Sequence, residues 1–142
     1  MKRCAWALGL AALLAAGVLT VARGRAQDGD RVPTIKEVMK KLNAGPNSLM
    51  ANLGKELQQE EPDWAEVQRG AKEFAAFAGH LAENEPPLGS RESWGKLTKK
   101  YIDDVKSLEA AARKQDRAAA LAAHARLKRS CTACHREHRP KE

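Results

Sequence analysis

The stretch DWAEVQRGAKEFAAFAGHL, residues 63–81, decides the fold class. Trp64, Val67, Ala71, Phe74, Ala78 and Leu81 recur at alternating steps of three and four, the spacing of one face of an amphipathic helix. Asp63 stands directly after Pro62 where an N-cap is needed, and Glu66 follows at the third position. Working outward, the same signs repeat. Glu85-Pro86-Pro87-Leu88-Gly89 is a breaker cluster, and beyond it a helix starting at Ser90 or Ser93 carries Trp94, Leu97, Tyr101, Val105, Leu108 and Ala112 on one side. Asp116 caps a last helix that runs through Leu121, Ala125 and Leu127 to the C-terminal segment.

On the N-terminal side, Thr34 followed by Glu37 forms a capping-box pattern ahead of Ile35, Val38, Met39 and Leu42. Gly45-Pro46 interrupts this helix, and Asn47 or Ser48 can restart one bearing Leu49, Met50, Leu53 and Leu57. The arm is therefore either one kinked helix or two short ones. No stretch alternates with period two for long enough to predict a sheet. Amphipathic helices with short connections predict an all-α fold, an antiparallel up-down-up-down four-helix bundle. The apolar stripes are rich in alanine, so the expected core is modest, and the chain without a further core component is expected to be poorly folded.

The first 26 residues stand apart. Lys2-Arg3 precedes an uncharged Ala/Leu/Gly/Val run from Cys4 to Ala22, with small residues at the cleavage candidates Ala22 and Ala26. This pattern predicts a secretory signal peptide over 1–26, with an uncleaved membrane anchor as the alternative. Residues 27–32 form a polar leader, and 33–142 the bundle. Of the 142 residues, 25 are basic and 18 acidic; the signal peptide takes four of the former and none of the latter, leaving a mature formal charge of +3. Little then supports nucleic-acid binding. Cys4 leaves with the signal, and the remaining pair, Cys131 and Cys134, cannot form a disulfide framework.

That pair belongs to Cys131-Thr132-Ala133-Cys134-His135, a C-x-x-C-H sequence. This is the attachment pattern of c-type haem: two thiols bond the porphyrin vinyl groups and the adjacent imidazole binds iron. On a helix Cys131, Cys134 and His135 lie one turn apart on one side. A local disulfide and a zinc site are the alternatives, but zinc needs four convergent ligands and no second paired motif is present. A redox C-x-x-C is expected after a strand, and no strand is predicted.

In an antiparallel bundle the C-terminal end of the last helix is level with the start of the first. Met39 then lies at haem level, whereas Met50 is about 16 Å further along a continuous helix. Met39 is the distal-ligand candidate, with core packing as its other reading. Trp94, Phe77 and Leu81 are brought toward the porphyrin as packing residues. His138 cannot reach the opposite haem face and is read as exposed or bonded to a propionate. His124 is read as a surface residue, and His80 has no partner visible in sequence. Arg126, Lys128, Arg129, Arg136, Arg139 and Lys141 crowd the segment, either as favourable charges at a helix C-terminus or as a basic rim that steers an acidic redox partner.

From Pro33 to Arg139 the chain resembles the cytochrome c′ family, the class II c-type cytochromes. The resemblance rests on Cys131-Thr132-Ala133-Cys134-His135, Ser93-Trp94, the helix led by Asp116, and Met39. It implies a four-helix bundle with a single covalent haem c, and at the position of Met39 it implies Leu, Phe or Met. Members with methionine ligation transfer electrons; five-coordinate members bind nitric oxide or carbon monoxide. Arg139 resembles the basic residue that the family sets near its proximal haem face. Ile35 stands where many relatives carry arginine, and Gly45-Pro46 breaks a helix that tends to continue in them. The expected function is that of an exported, periplasmic electron carrier with His135 and Met39 as axial ligands, not an enzyme. A gas-binding protein with an open distal face is the alternative. A homodimer is compatible with the bundle, and membrane contact is expected only if the signal stays uncleaved.

Overall fold

A computed structural model describes residues 31–141. The expected signal peptide and all of the polar leader but Arg31 and Val32 lie outside the described residues. Five helices make up the fold: α1 Ile35–Asn43, α2 Leu49–Gln58, α3 Trp64–Gly79, α4 Arg91–Arg113 and α5 Arg117–His138. There is no strand among the described residues, and the protein is all-α as the periodicity predicts.

Each helix begins where a side chain can take up the first free N–H groups. Thr34 and Glu37 form a complete capping box, and hydrogen bonds from Arg31 and Thr34 hold the Glu37 carboxyl well below the usual carboxylate range. Ser48 accepts from the Ala51 N–H, Asp63 from Ala65 and Glu66, Ser90 from Ser93, and Asp116 from Ala119. The choice between one kinked helix and two short ones falls to two. Gly45 adopts a positive φ of 81°, in the left-handed region that glycine enters without strain, and α1 ends just before it.

The core is built from Val38 and Leu42 of α1, Leu53 and Leu57 of α2, Val67, Ala71, Phe74 and Ala78 of α3, and Trp94, Tyr101, Val105 and Leu108 of α4. Ala111, Ala112, Ala120 and Ala123 complete it where α4 and α5 meet. Two expected stripes are shifted. In α4 Thr98 is buried and Leu97 only half-buried; the Thr98 hydroxyl donates to the Trp94 carbonyl at 2.8 Å, which satisfies it inside the core. In α5 the inner row is Ala120, Ala123, His124 and Leu127, whereas Leu121 and Ala125 are half-buried. Small residues on the inner row let α5 lie close to α4, and the bulkier Leu121 is left at the margin.

Long-range hydrogen bonds fix which ends meet. Gln68 near the start of α3 donates to the Ala112 carbonyl at the end of α4 (3.2 Å), and Trp94 at the start of α4 donates to the carbonyls of Leu81 (3.1 Å) and Asn84 (2.9 Å), just beyond α3. Arg117 at the start of α5 donates to the Leu57 carbonyl at the end of α2 (3.0 Å), and His138 at the end of α5 lies beside Ser93 and Leu88. α1 packs on α2 and α3, while α5 packs on α4 and α2; among the described residues the backbones of α1 and α5 do not come together.

Candidate functional site

Cys131, Cys134 and His135 lie in the penultimate and last turns of α5. Both thiols are free and half-buried, and Cys134 packs against the edge of the core. His135 is exposed, and its ring has no hydrogen bond or ion pair with the described residues. Burial pushes the Cys134 thiol up, and the neighbouring Cys131 and Glu137 add to the rise. A redox-active C-x-x-C pair depends on the opposite shift. Among the described residues no three His, Cys, Asp or Glu side chains form a metal cage.

Tyr101 of α4 is buried, which is the main cause of its raised pKa, and Cys131 and Cys134 add a smaller electrostatic contribution. Tyr101 packs its ring against Phe74 at a centroid distance of 6.1 Å and reaches Asn43 at the end of α1. The Asn43 amide nitrogen lies 3.3 Å from the phenol oxygen and 3.4 Å from the sulfur of Met39. A line of side chains therefore joins Met39, Asn43 and Tyr101. Met50 lies elsewhere: its carbonyl accepts from His124 Nε2 at 2.9 Å, on the part of α5 two turns before Cys131.

The other sequence-predicted residues occupy four positions. Trp94 is buried, with its indole N–H shared between two carbonyls and its ring edge-on to His138 at 5.2 Å. Phe77 is half-buried on α3, edge-on to His80 and under the Lys41 ammonium at 5.6 Å. Leu81 is buried just after α3. Arg139 caps α5, its N–H donating to the His135 carbonyl at 3.2 Å.

Three histidine readings change. His138 is neither exposed nor available to a propionate: it is 2% exposed, its Nδ1–H donates to the Leu88 carbonyl at 2.6 Å, and its Nε2 meets the Ser93 hydroxyl at 3.2 Å. A carbonyl can only accept, which assigns the proton to Nδ1. Gly89, at φ 76°, closes over the ring, and a Cβ there would come within 2.9 Å of it. His124 is 8% exposed, not a surface residue, and lies against Gly54, where a Cβ would meet its ring at 2.9 Å. His80 pairs with Glu83 at 3.1 Å. In the basic group Arg126 is committed inward, to Asp104 at 2.7 Å. The pairings of His124, His138 and Arg126 leave no local sign, because their partners are backbone carbonyls or residues on other helices, whereas Glu83 stands only three residues after His80.

From Lys128 to Glu137 no side chain of α5 is buried, although Leu127 before it and His138 after it are covered. Two free, half-buried thiols and the exposed imidazole of His135 thus stand on a part of α5 that has no fully buried side chain. This donor set fits a c-type haem: soft thiols for the vinyl carbons, a ring nitrogen for iron, and an apolar margin for the porphyrin.

A sequence model of the cytochrome c′ family matches residues 88–139, which span α4, α5 and the haem-attachment sequence. Over these residues the chain is similar to the cytochrome c′ family. Cytochromes c′ carry covalently bound c-type haem, and Cys131, Cys134 and His135 stand within the matched residues. The family is typically periplasmic, and among the described residues of this chain no helix is long and apolar enough to cross a membrane. No curated protein and no solved structure matches the chain.

Proposed function

We propose that the protein is an exported monohaem electron carrier, with Cys131 and Cys134 as the thioether positions and His135 and Met39 as the axial ligands. The observation that carries this reading is the hydrogen bond from Asn43 to the Met39 sulfur, which Tyr101 braces from α4. A thioether has two lone pairs. With one held by an amide donor, the other has a defined direction, which suits a ligand more than a loose core filler. The haem, when bound, supplies a one-electron iron couple, and thioether ligation raises its potential relative to an open or bis-histidine site.

The chain's residues do the rest. Trp94 and His138 pin the last turn of α5 to the start of α4, holding His135 on a fixed helix end. Phe74 and Tyr101 keep water from the inner side. Lys128, Arg129, Arg136, Arg139 and Lys141 surround the haem segment and favour an acidic redox partner, with the charges acting mainly on encounter rate. No residue at this level has the placement of a distal acid or base, so the reading is of a carrier and not of an enzyme.

Optical spectra of the ferric and ferrous protein, with and without carbon monoxide, test the assignment. The wild type is expected to be low-spin and slow to react with the gas. Met39→Ala is expected to turn high-spin and to bind it readily. A high-spin wild type that takes up carbon monoxide directly would overturn the carrier in favour of a gas-binding protein.

A further inference from the structure

The geometry points to Asn43 as a positioning residue that sets the reduction potential, by donating a hydrogen bond to the Met39 sulfur while Tyr101 fixes its amide. This inference rests on Met39 being the distal ligand. Asn43 is the last residue of α1, one turn after Met39, so the two side chains share a helix face. The identity of the amide atoms follows from chemistry. A thioether sulfur only accepts, so the NH2 end of the amide must face it, at 3.4 Å. The same nitrogen lies 3.3 Å from the Tyr101 oxygen, and that hydroxyl lies 3.5 Å from the Asn43 carbonyl oxygen.

Tyr101 is itself immobilised. It is buried with its ring against Phe74, and burial keeps its phenol protonated at any ordinary pH. The amide is thus held by a neutral, fixed partner on α4 and is not free to rotate away from the sulfur. Gly45 and Pro46 end α1 immediately beyond, so no further helical turn covers the pair.

An N–H donor on sulfur withdraws electron density from the lone pairs. The thioether becomes a weaker donor, which disfavours the ferric state more than the ferrous one and raises the potential. Hydrogen bonds outside the ligand shell are one of the levers by which a protein tunes such a site. Removing the donor also lets the Met39 side chain recover rotamer freedom, which weakens its hold on iron. Both effects act in the same direction.

The test uses the haem-loaded protein. Asn43→Leu, close to Asn in shape, removes the donor; the midpoint potential is read by optical redox titration, with the carbon monoxide binding rate as a second readout. We expect the ferrous-to-ferric equilibrium to move about tenfold toward ferric, equal to ~59 mV for one electron, and the gas to bind several-fold faster. In a Met39→Leu background the same substitution should leave the potential unchanged. A shift that persists there would mean that Asn43 acts on the haem without the sulfur, and would overturn the inference. If the wild type is low-spin and Asn43→Leu moves neither readout, Met39 ligation stands and the role of Asn43 falls; a high-spin wild type removes both. Should Asn43→Leu fail to fold around haem, Tyr101→Phe reads the same device, with a two- to threefold shift in the same direction expected. No shift in that variant would count against it.

Discussion

The two halves of α5 are covered in different ways. From Arg117 to Leu127 the helix is embedded: Ala120, Ala123, His124 and Leu127 are buried, His124 bonds across to Met50 of α2, and Arg126 reaches Asp104 of α4. From Lys128 to Glu137 no side chain is buried, and only His138 fastens the end. The first half is completed by protein. The second has only half-buried and exposed side chains, with Cys134 at the edge of the core, and it is the half that carries both thiols and the imidazole. A helix pinned at both ends but only partly covered between them leaves room for a large apolar group beside it.

The largest effect should come from denying it that neighbour. Cys131→Ser with Cys134→Ser, which prevents haem attachment, is expected to abolish cooperative thermal melting, with amides of residues 128–137 exchanging rapidly. Hydrogen exchange read residue by residue would also show whether residues 117–127 stay protected. A cooperative, native-like melt of this haem-free protein would break the contrast.

Leu127→Ala strikes the boundary between the halves. Leu127 is fully buried, so its truncation should cost ~2–5 kcal/mol in denaturant unfolding of the holoprotein. His138→Ala removes the clamp at the far end and leaves the Leu88 carbonyl without its donor. A cost of ~1–3 kcal/mol is expected, together with faster exchange in the last turn and little change near Asp116.

Asp104 sharpens the contrast from the other side, because it fastens the first half. Burial alone would raise its carboxyl, but hydrogen bonds from Arg126 and Lys100 outweigh this and hold it below the usual range. Its contribution is therefore present above the ordinary aspartate pKa, about 4, and is lost as pH falls through the lowered folded value. Lys100 is largely exposed and Arg126 partly so, which limits the effect. Asp104→Asn should cost ~1–2 kcal/mol at pH 7, with the gap to wild type closing toward pH 3. Urea titrations at several pH values would measure it.

Much of this contrast can be read along the chain. The cap at every helix start, the break at Gly45-Pro46, the α3 stripe and the haem sequence depend on neighbours within a few residues, and local chemistry was enough to find them. What the sequence concealed depends on partners far away. His124 and His138 look like surface residues because their acceptors, the carbonyls of Met50 and Leu88, lie 74 and 50 residues distant and carry no side-chain signature. Thr98 replaced Leu97 in the core because its hydroxyl is satisfied by the Trp94 carbonyl of its own helix, a bond that hydropathy does not register. The role of Asn43 was hidden for the same reason: only the fold brings Tyr101 to it.

Asn84, in the turn after α3, gives the loop that follows a mechanical job. Its side chain donates to the carbonyls of Pro33 (3.0 Å) and His80 (2.7 Å), and its own carbonyl accepts from Trp94 at 2.9 Å. Four residues on, the Leu88 carbonyl holds His138. The entry to α1, the exit of α3, the start of α4 and the end of α5 are therefore knotted at one short span. A single proteolytic nick between Glu85 and Gly89 would slacken the segment leading to Met39 and the turn bearing His135 together, so both proposed ligands hang on the same cord.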